Sequence, residues 1–433
     1  MTKYNMVLSS GEPCDLIYTA SWMNYPGLAK QDAFLPLDDL IPTYMPGIYA
    51  FMPEDKWNQV KIDGQIFTVP TGKDEYTNVG VTYREDLRKK FDLPAPDSLE
   101  NIEAFLLGIK ENDPTQALTA PYVQPAAYGL AFSAAQVLYA KNGWVTANGA
   151  MYGLAAPYNN PSAMYDYWGR EEFVEDMRMM KRWADNGFWS KSVLSDNNDA
   201  DSFKNGQSVV VLTGQNYAKH IGLVEDAKLN HPDWELGFVP YADMNGVAYA
   251  NTPTGNGTAI PVNSKNPERA AMALNLLYTD KEINNLVMYG IEGMHYVIDA
   301  NSYYTPGEKV NDYKLEAANT WNLRNPEIGL IRESNIQLNE MFEYLHKIAL
   351  TTKTPDIDIF NGFVEDYERY SAERAALSTV MVQYLAPLQA GLVKDVDQAV
   401  AEFRQKAKDA GIEKIQASYL AQWLTYCEAY GYK

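Results

Sequence analysis

The side chains best placed by type to do chemistry in this sequence are carboxylates beside aromatic rings: Glu75 next to Tyr76, Asp166 beside Trp168, and Glu292 close to Tyr296. Two carboxylates about 5 to 9 Å apart across a glycosidic bond would make a glycoside hydrolase. In a binding protein the same residues accept hydrogen bonds from sugar hydroxyls while the rings stack on the apolar sugar face, and no bond is broken. Spacing along the chain does not separate these readings, and the sheer number of such pairs makes the enzymatic signal weak. Other catalytic signatures are missing: there is no phosphate-loop Gly-Lys-Ser/Thr, no HExxH and no GxSxG. Gly255-Asn256-Gly257 is not a dinucleotide fingerprint, because the third glycine is absent and the loop precedes a strand instead of opening a helix. His220, His231, His295 and His346 are scattered and read as surface or capped core residues. The stretch from Asp196 to Asp201 resembles a calcium loop but carries Asp201 where glycine is needed and Gln207 where glutamate is needed. Its Asp and Asn residues read as caps of a short helix ending at Gly206. No catalytic residue, metal ligand or cofactor is expected.

Positioning any of these side chains takes regular elements, and the composition bounds what they build. The chain has 433 residues, and 36 Lys and Arg against 56 Asp and Glu give a formal charge of −20. That excess repels nucleic acid and anionic membranes before contact. The length suits two or three packed units, and 46% hydrophobic residues supply each with a core. Tyr is the commonest aromatic, 31 against 14 Phe and 9 Trp, which suits half-wet surfaces. Cys14 and Cys427 show no metal or redox spacing, and a disulfide between them is not expected. Cys14 follows Gly11-Glu12-Pro13 with no apolar run, so it is no lipid-attachment site, and no stretch has the length of a membrane-spanning helix.

Short β-rich runs alternate with helical segments, the mark of a layered α/β protein. Strands are predicted at 14–20, 65–71, 79–84, 208–213, 235–241, 258–262 and 296–299. Ser98 is placed to cap a helix whose Leu99, Ile102, Phe105, Leu106 and Ile109 share one face. Asn266-Pro267-Glu268 opens a second helix, and Asp280 opens a third that Gly290 closes. From about Ser334 the strand signal disappears, and stripes such as Val396, Val400, Phe403 and Ala407 predict a helical block to the end.

Ordered motifs along the chain resemble a known family. Residues 61–70, Lys-Ile-Asp-Gly-Gln-Ile-Phe-Thr-Val-Pro, and 81–87, Val-Thr-Tyr-Arg-Glu-Asp-Leu, resemble a paired stretch of the type 1 extracellular solute-binding proteins of ABC importers. Residues 203–207, Phe-Lys-Asn-Gly-Gln, and 260–270, beginning Ile-Pro-Val-Asn-Ser-Lys-Asn-Pro-Glu, are similar to two further segments in the same order. Residues 289–296 and 408–416 resemble its lipoprotein-like branch, whose C-terminal domain was long catalogued as of unknown function. The chain starts almost directly on the segment 4–12. The resemblance therefore implies that a lipoprotein signal and an opening strand–helix unit, roughly 50 residues in all, precede this point in the family, leaving the first lobe a sheet edge to expose.

The resemblance implies a two-lobe α/β, periplasmic-binding-protein-like (type II) fold with a hinge and a helical C-terminal block. Lobe one would span 1–122 and 260–318, and lobe two 123–259 and 319–433. It implies hinge closure on a solute, read by the permease subunits of an ABC importer, in a monomer held at the extracellular face by a lipid anchor. A carbohydrate, in particular an oligosaccharide, is the expected cargo. Substrate-binding residues are expected on loops at the strand ends, Ser10, Glu12, Trp22, Tyr25, Glu75, Tyr76, Gln215 and Asn216, and on segments close to the expected hinge, Asn256, Glu292 and Trp321. A glycoside hydrolase-like enzyme and a peptide-binding or interaction protein are the alternatives.

Overall fold

The computed structural model describes residues 2–71, 76–127, 129–144, 151–195, 199–248, 250, 253–313, 322–325, 327–352, 359–360 and 363–432. The chain divides into two compact units, 1–76 with 249–340 and 355–364, and 77–248 with 341–354 and 365–433. Six strands carry the principal sheets: β1 (Ile17–Thr19), β2 (Val69–Pro70), β3 (Val79–Arg84), β4 (Val210–Asn216), β5 (Leu236–Pro240) and β6 (Gly257–Ala259).

In the first unit β6 lies between β1 and β2, antiparallel to both, so β1 and β2 are the edges and point the same way. Beneath the sheet an apolar core gathers Leu37, Ile41, Ile48, Val60, Val69, Ile260, Leu274 and Tyr278. Helix Pro267–Thr279 starts on its predicted proline, although the Asn266 side chain makes no cap bond. Helix Lys281–Tyr289 is capped by Asp280, which accepts from the Ile283 N–H at 2.9 Å, and it ends at Gly290, whose φ of 85° suits a residue without Cβ.

In the second unit β3 is central, antiparallel to β4 on one side and β5 on the other. Its predicted bounds are the observed ones, because residues 80–84 are buried on both faces. Gly80 is required there: a Cβ would sit 2.2 Å from the Val239 carbonyl oxygen. Helix Leu99–Asn112 buries the predicted stripe, and Ser98 Oγ accepts from the Asn101 N–H at 3.1 Å. Helix Glu171–Asp185, absent from the sequence reading, buries Phe173, Val174, Met177, Met180 and Trp183. After Pro306 the described residues hold no strand, and helices Glu333–Thr352, Ser371–Val380, Val396–Asp409 and Ile412–Tyr430 form the expected block.

Two expectations need correction. The lobe limits differ: 77–122 joins the second unit because β3 pairs with β4 and β5, and 249–259 joins the first because β6 pairs with β1 and β2. The strand predicted at 65–71 is two pieces. Gln65–Ile66 pairs with Lys61–Ile62 in a hairpin turned by Asp63 and Gly64, and only Val69–Pro70 joins the sheet. Residues 196–198 of the calcium-like stretch lie outside the described residues. Helix Asp199–Lys204 follows them, and Gly206 has φ of 72°. Among the described residues no cluster of three His, Cys, Asp or Glu is placed to hold a metal, both cysteines are free, and no helix is long and apolar enough to cross a membrane.

Candidate functional site

Each unit gathers polar side chains at one end of its sheet. In the first unit the register pairs Thr19 with Gly257 and Gly257 with Pro70. The C-terminal ends of β1 and β2 therefore meet the N-terminal end of β6. Trp22 sits in the 3₁₀ turn Ser21–Met23 just past β1, and this turn packs on the turn Pro253–Gly255 just before β6. Asn256 occupies the same end, where the Tyr18 hydroxyl donates to its Oδ1 at 2.5 Å. Behind them the buried Asn322 Nδ2 donates to Thr258 Oγ1 at 2.9 Å. Asn322 Oδ1 and Thr68 Oγ1 are buried with no hydrogen-bond partner among the described residues. Such orphan groups each cost about 1–3 kcal/mol. A Cβ on Gly257 would lie 2.4 Å from Thr68 Oγ1, so only glycine lets β6 approach this hydroxyl.

In the second unit the register pairs Gln215 and Pro240 with Gly80, and Asn216 with Val79. One end of that sheet therefore presents 77–80, 215–217 and 240–241. Tyr76 is buried and bridges Ala250, antiparallel, where the chain leaves the first unit. Asn78 Oδ1 accepts from the Tyr217 N–H at 2.7 Å. Asn216 is exposed, and its Oδ1 caps helix Tyr217–Asn230 by accepting from the Lys219 N–H at 2.9 Å. Behind the cap, His220 is buried against Thr82, Tyr217 and Phe238, and desolvation brings its pKa down to about 4.

The structure brings together Trp22 and Asn256 at the first sheet end, and Gln215 and Asn216 at the second, while Tyr76 is the last residue of the first unit. Tyr25 must be withdrawn: it is wholly buried, stacks on Phe34 and donates its hydroxyl to the Val60 carbonyl at 3.0 Å. Its apolar neighbours Ala29, Ile62, Phe67 and Ala259 made it core, and burial raises its pKa. Ser10 and Glu12 flank β1 as expected but at the wrong end. Ser10 closes helix Thr2–Ser10, and the Glu12 carbonyl accepts from Asn263, which follows β6. Glu292 is exposed in the turn between helix Lys281–Tyr289 and strand Tyr296–Ile298, where its backbone bridges Tyr296. Glu75 and Trp321 lie outside the described residues. Tyr18, Asn78, Thr68 and Asn322 escaped the sequence reading. Of these, Tyr18 alone left a trace, as the polar-tipped ring of a predicted strand.

The groups at both ends are amides, hydroxyls and aromatic rings, suited to hydrogen bonding a neutral polar molecule and not to moving a proton. Comparison with known proteins agrees with this chemistry. Residues 1–283 match the family described as bacterial extracellular solute-binding protein, and residues 359–428 match a domain of unknown function. A Streptococcus pneumoniae protein described as a carbohydrate ABC transporter substrate-binding protein is 23% identical over 425 residues, covering 94% of this chain and 78% of that one. Among solved structures, the N-glycan transport solute binding protein NgtS of S. pneumoniae aligns with TM-score 0.72 at 20% identity over 99% of this chain and 89% of that one. The S. pneumoniae substrate binding protein FusA in complex with kestose aligns with TM-score 0.63 at 15% identity over 99% and 90%.

Proposed function

Because the chain belongs to the bacterial extracellular solute-binding proteins, which bind and do not catalyse, and has their two-lobe α/β fold, we propose that it captures an oligosaccharide and delivers it to the permease of an ABC importer. The observation that carries the reading is the first sheet end. There Tyr18, Asn256, Thr68 and Asn322 gather hydroxyls and amides, two of them buried without a partner. A polyol satisfies such a set from both sides, since every hydroxyl donates and accepts. Trp22 and Trp321 are the sequence's candidates for ring faces on which a sugar would stack. The names of the relatives support the class of cargo: one is a carbohydrate transporter's binding protein, one carries N-glycans and one holds kestose.

Capture works by differential affinity. The chain crosses from the first unit to the second after Tyr76 and returns after Ala248. A sugar that bonds to both units only in a closed state shifts the population toward that state, and the permease reads it. The protein acts as a monomer at the outer face of the membrane, where the family's lipid anchor holds it.

A panel of oligosaccharides and short peptides in a thermal-shift assay, with reducing ends measured in parallel, tests this. A rise in Tm with at least one oligosaccharide and no new reducing ends is expected. Release of reducing ends, or a response to peptides alone, overturns it.

A further inference from the structure

The first unit holds a concave site of about 430 Å³, apart from the sheet-end residues, which falls within the usual range for small-molecule pockets. It is built within residues 38–66, by the helices that follow β1 and the hairpin that precedes β2. The floor is apolar: Ile41, Met52, Trp57 and Ile66 are all buried. Tyr49 stands on the rim with its ring exposed. Around them the rim is charged, with the carboxylates of Asp38 and Glu54 opposed by the ammonium of Lys61.

The polar atoms restrict what fits. Trp57 is only 5% exposed, yet its indole N–H has no acceptor among the described residues. Lys61 gives one N–H to Asn58 Oδ1 at 2.8 Å and has two more donors. Asp38 Oδ2 accepts from the Ile66 N–H at 3.0 Å and keeps further lone pairs. An organic cation would suit the rings and carboxylates but meet the ammonium of Lys61. An anion would accept from Lys61 but meet two carboxylates. A neutral sugar ring meets both demands: its hydroxyls donate to the carboxylates and accept from Lys61, and its apolar face covers the aromatic surface.

We propose that the pocket formed by Trp57, Tyr49, Asp38, Glu54 and Lys61 is an accessory saccharide site, separate from the sheet-end residues and independent of what they bind. Indole N–H resonances of the full chain, with that of Trp57 assigned by its loss in Trp57→Phe, report on it directly. Titration with methyl α-glucoside, methyl β-galactoside and methyl β-N-acetylglucosaminide is expected to shift the Trp57 resonance with at least one glycoside, and tetramethylammonium or phosphate to leave it in place. Tyr49→Ala and Glu54→Gln, both on the exposed rim, are each expected to weaken that response by about tenfold without moving the other indole signals. No shift with any glycoside, a shift with tetramethylammonium or phosphate alone, or a glycoside response unchanged in both rim variants overturns the proposal.

Discussion

His220 shows how surroundings set the chemistry of one side chain. Its ring is stacked near Tyr217 and Phe238 and bonded to Thr82, and desolvation lowers its pKa from 6.5 to about 4. Between those two values the unfolded chain binds the proton and the folded one does not, so this contribution is complete above about pH 6.5 and lost as the pH falls toward 4. Urea denaturation is expected to show wild type losing up to about 3 kcal/mol more than His220→Gln between pH 7.5 and 4.5. At the candidate site, Trp22→Ala and Asn256→Ala are each expected to weaken oligosaccharide affinity by about tenfold, read by calorimetry, with Tm within a few degrees of wild type. An equal loss of stability in both would make them structural residues. Trp321→Ala tests the position for which only the resemblance speaks. Tyr25 offers the contrast: with its ring in the core, Tyr25→Ala is expected to cost about 3–5 kcal/mol of stability.

Two polar pins fix helices in the second unit. Gln389, wholly buried in the short helix Ala386–Gln389, accepts with Oε1 from the N–H groups of Ala131 at 2.8 Å and Phe132 at 3.1 Å. Its Nε2 donates to Tyr139 Oη at 3.0 Å. The helical C-terminal region thus satisfies an edge of the hairpin Leu130–Phe132, whose donors would otherwise be buried and unpaired. Gln389→Met keeps the volume and orphans both N–H groups, so it is expected to cost about 2–4 kcal/mol in chemical denaturation. Helix Glu171–Asp185 is held by its buried Asp176, which pairs with Lys141 and accepts from Tyr167 Oη at 2.7 Å. Burial raises the Asp176 pKa although Lys141 opposes the shift. Lys141→Met leaves that carboxyl unpaired and is expected to destabilise by about 3–5 kcal/mol, whereas Lys141→Met with Asp176→Leu is expected to recover most of the loss. Phe173, Met177 and Met180 carry helical spacing, yet no helix is predicted there in the sequence analysis, and the buried partner of its carboxylate is set by tertiary packing alone.

For the whole molecule, a ligand bound only by the folded chain raises stability by about 2.7 kcal/mol at one hundred times its Kd, so the melting shift grows with the logarithm of sugar concentration. Closure predicts in addition a smaller radius of gyration in solution scattering with saturating oligosaccharide, and an unchanged radius removes hinge closure while leaving binding intact. Much of this protein was legible in its sequence. The α/β alternation, the limits of β3, the Ser98 and Asp280 caps and the helical block from about Ser334 follow from periodicity and local hydrogen bonding, which act over a few residues. The ordered motifs placed the chain in its family. Tertiary structure alone decided which candidates share a sheet end, because antiparallel pairing fixes that over long separations: Tyr18 meets Asn256 across 238 positions. The same pairing sent Ser10 and Glu12 to the opposite end of β1, and packing against Phe34, Ile62 and Phe67 turned Tyr25 from a loop candidate into core. Local spacing states what a residue is able to do. Register and burial determine whether it meets the partner or solvent that lets it do so.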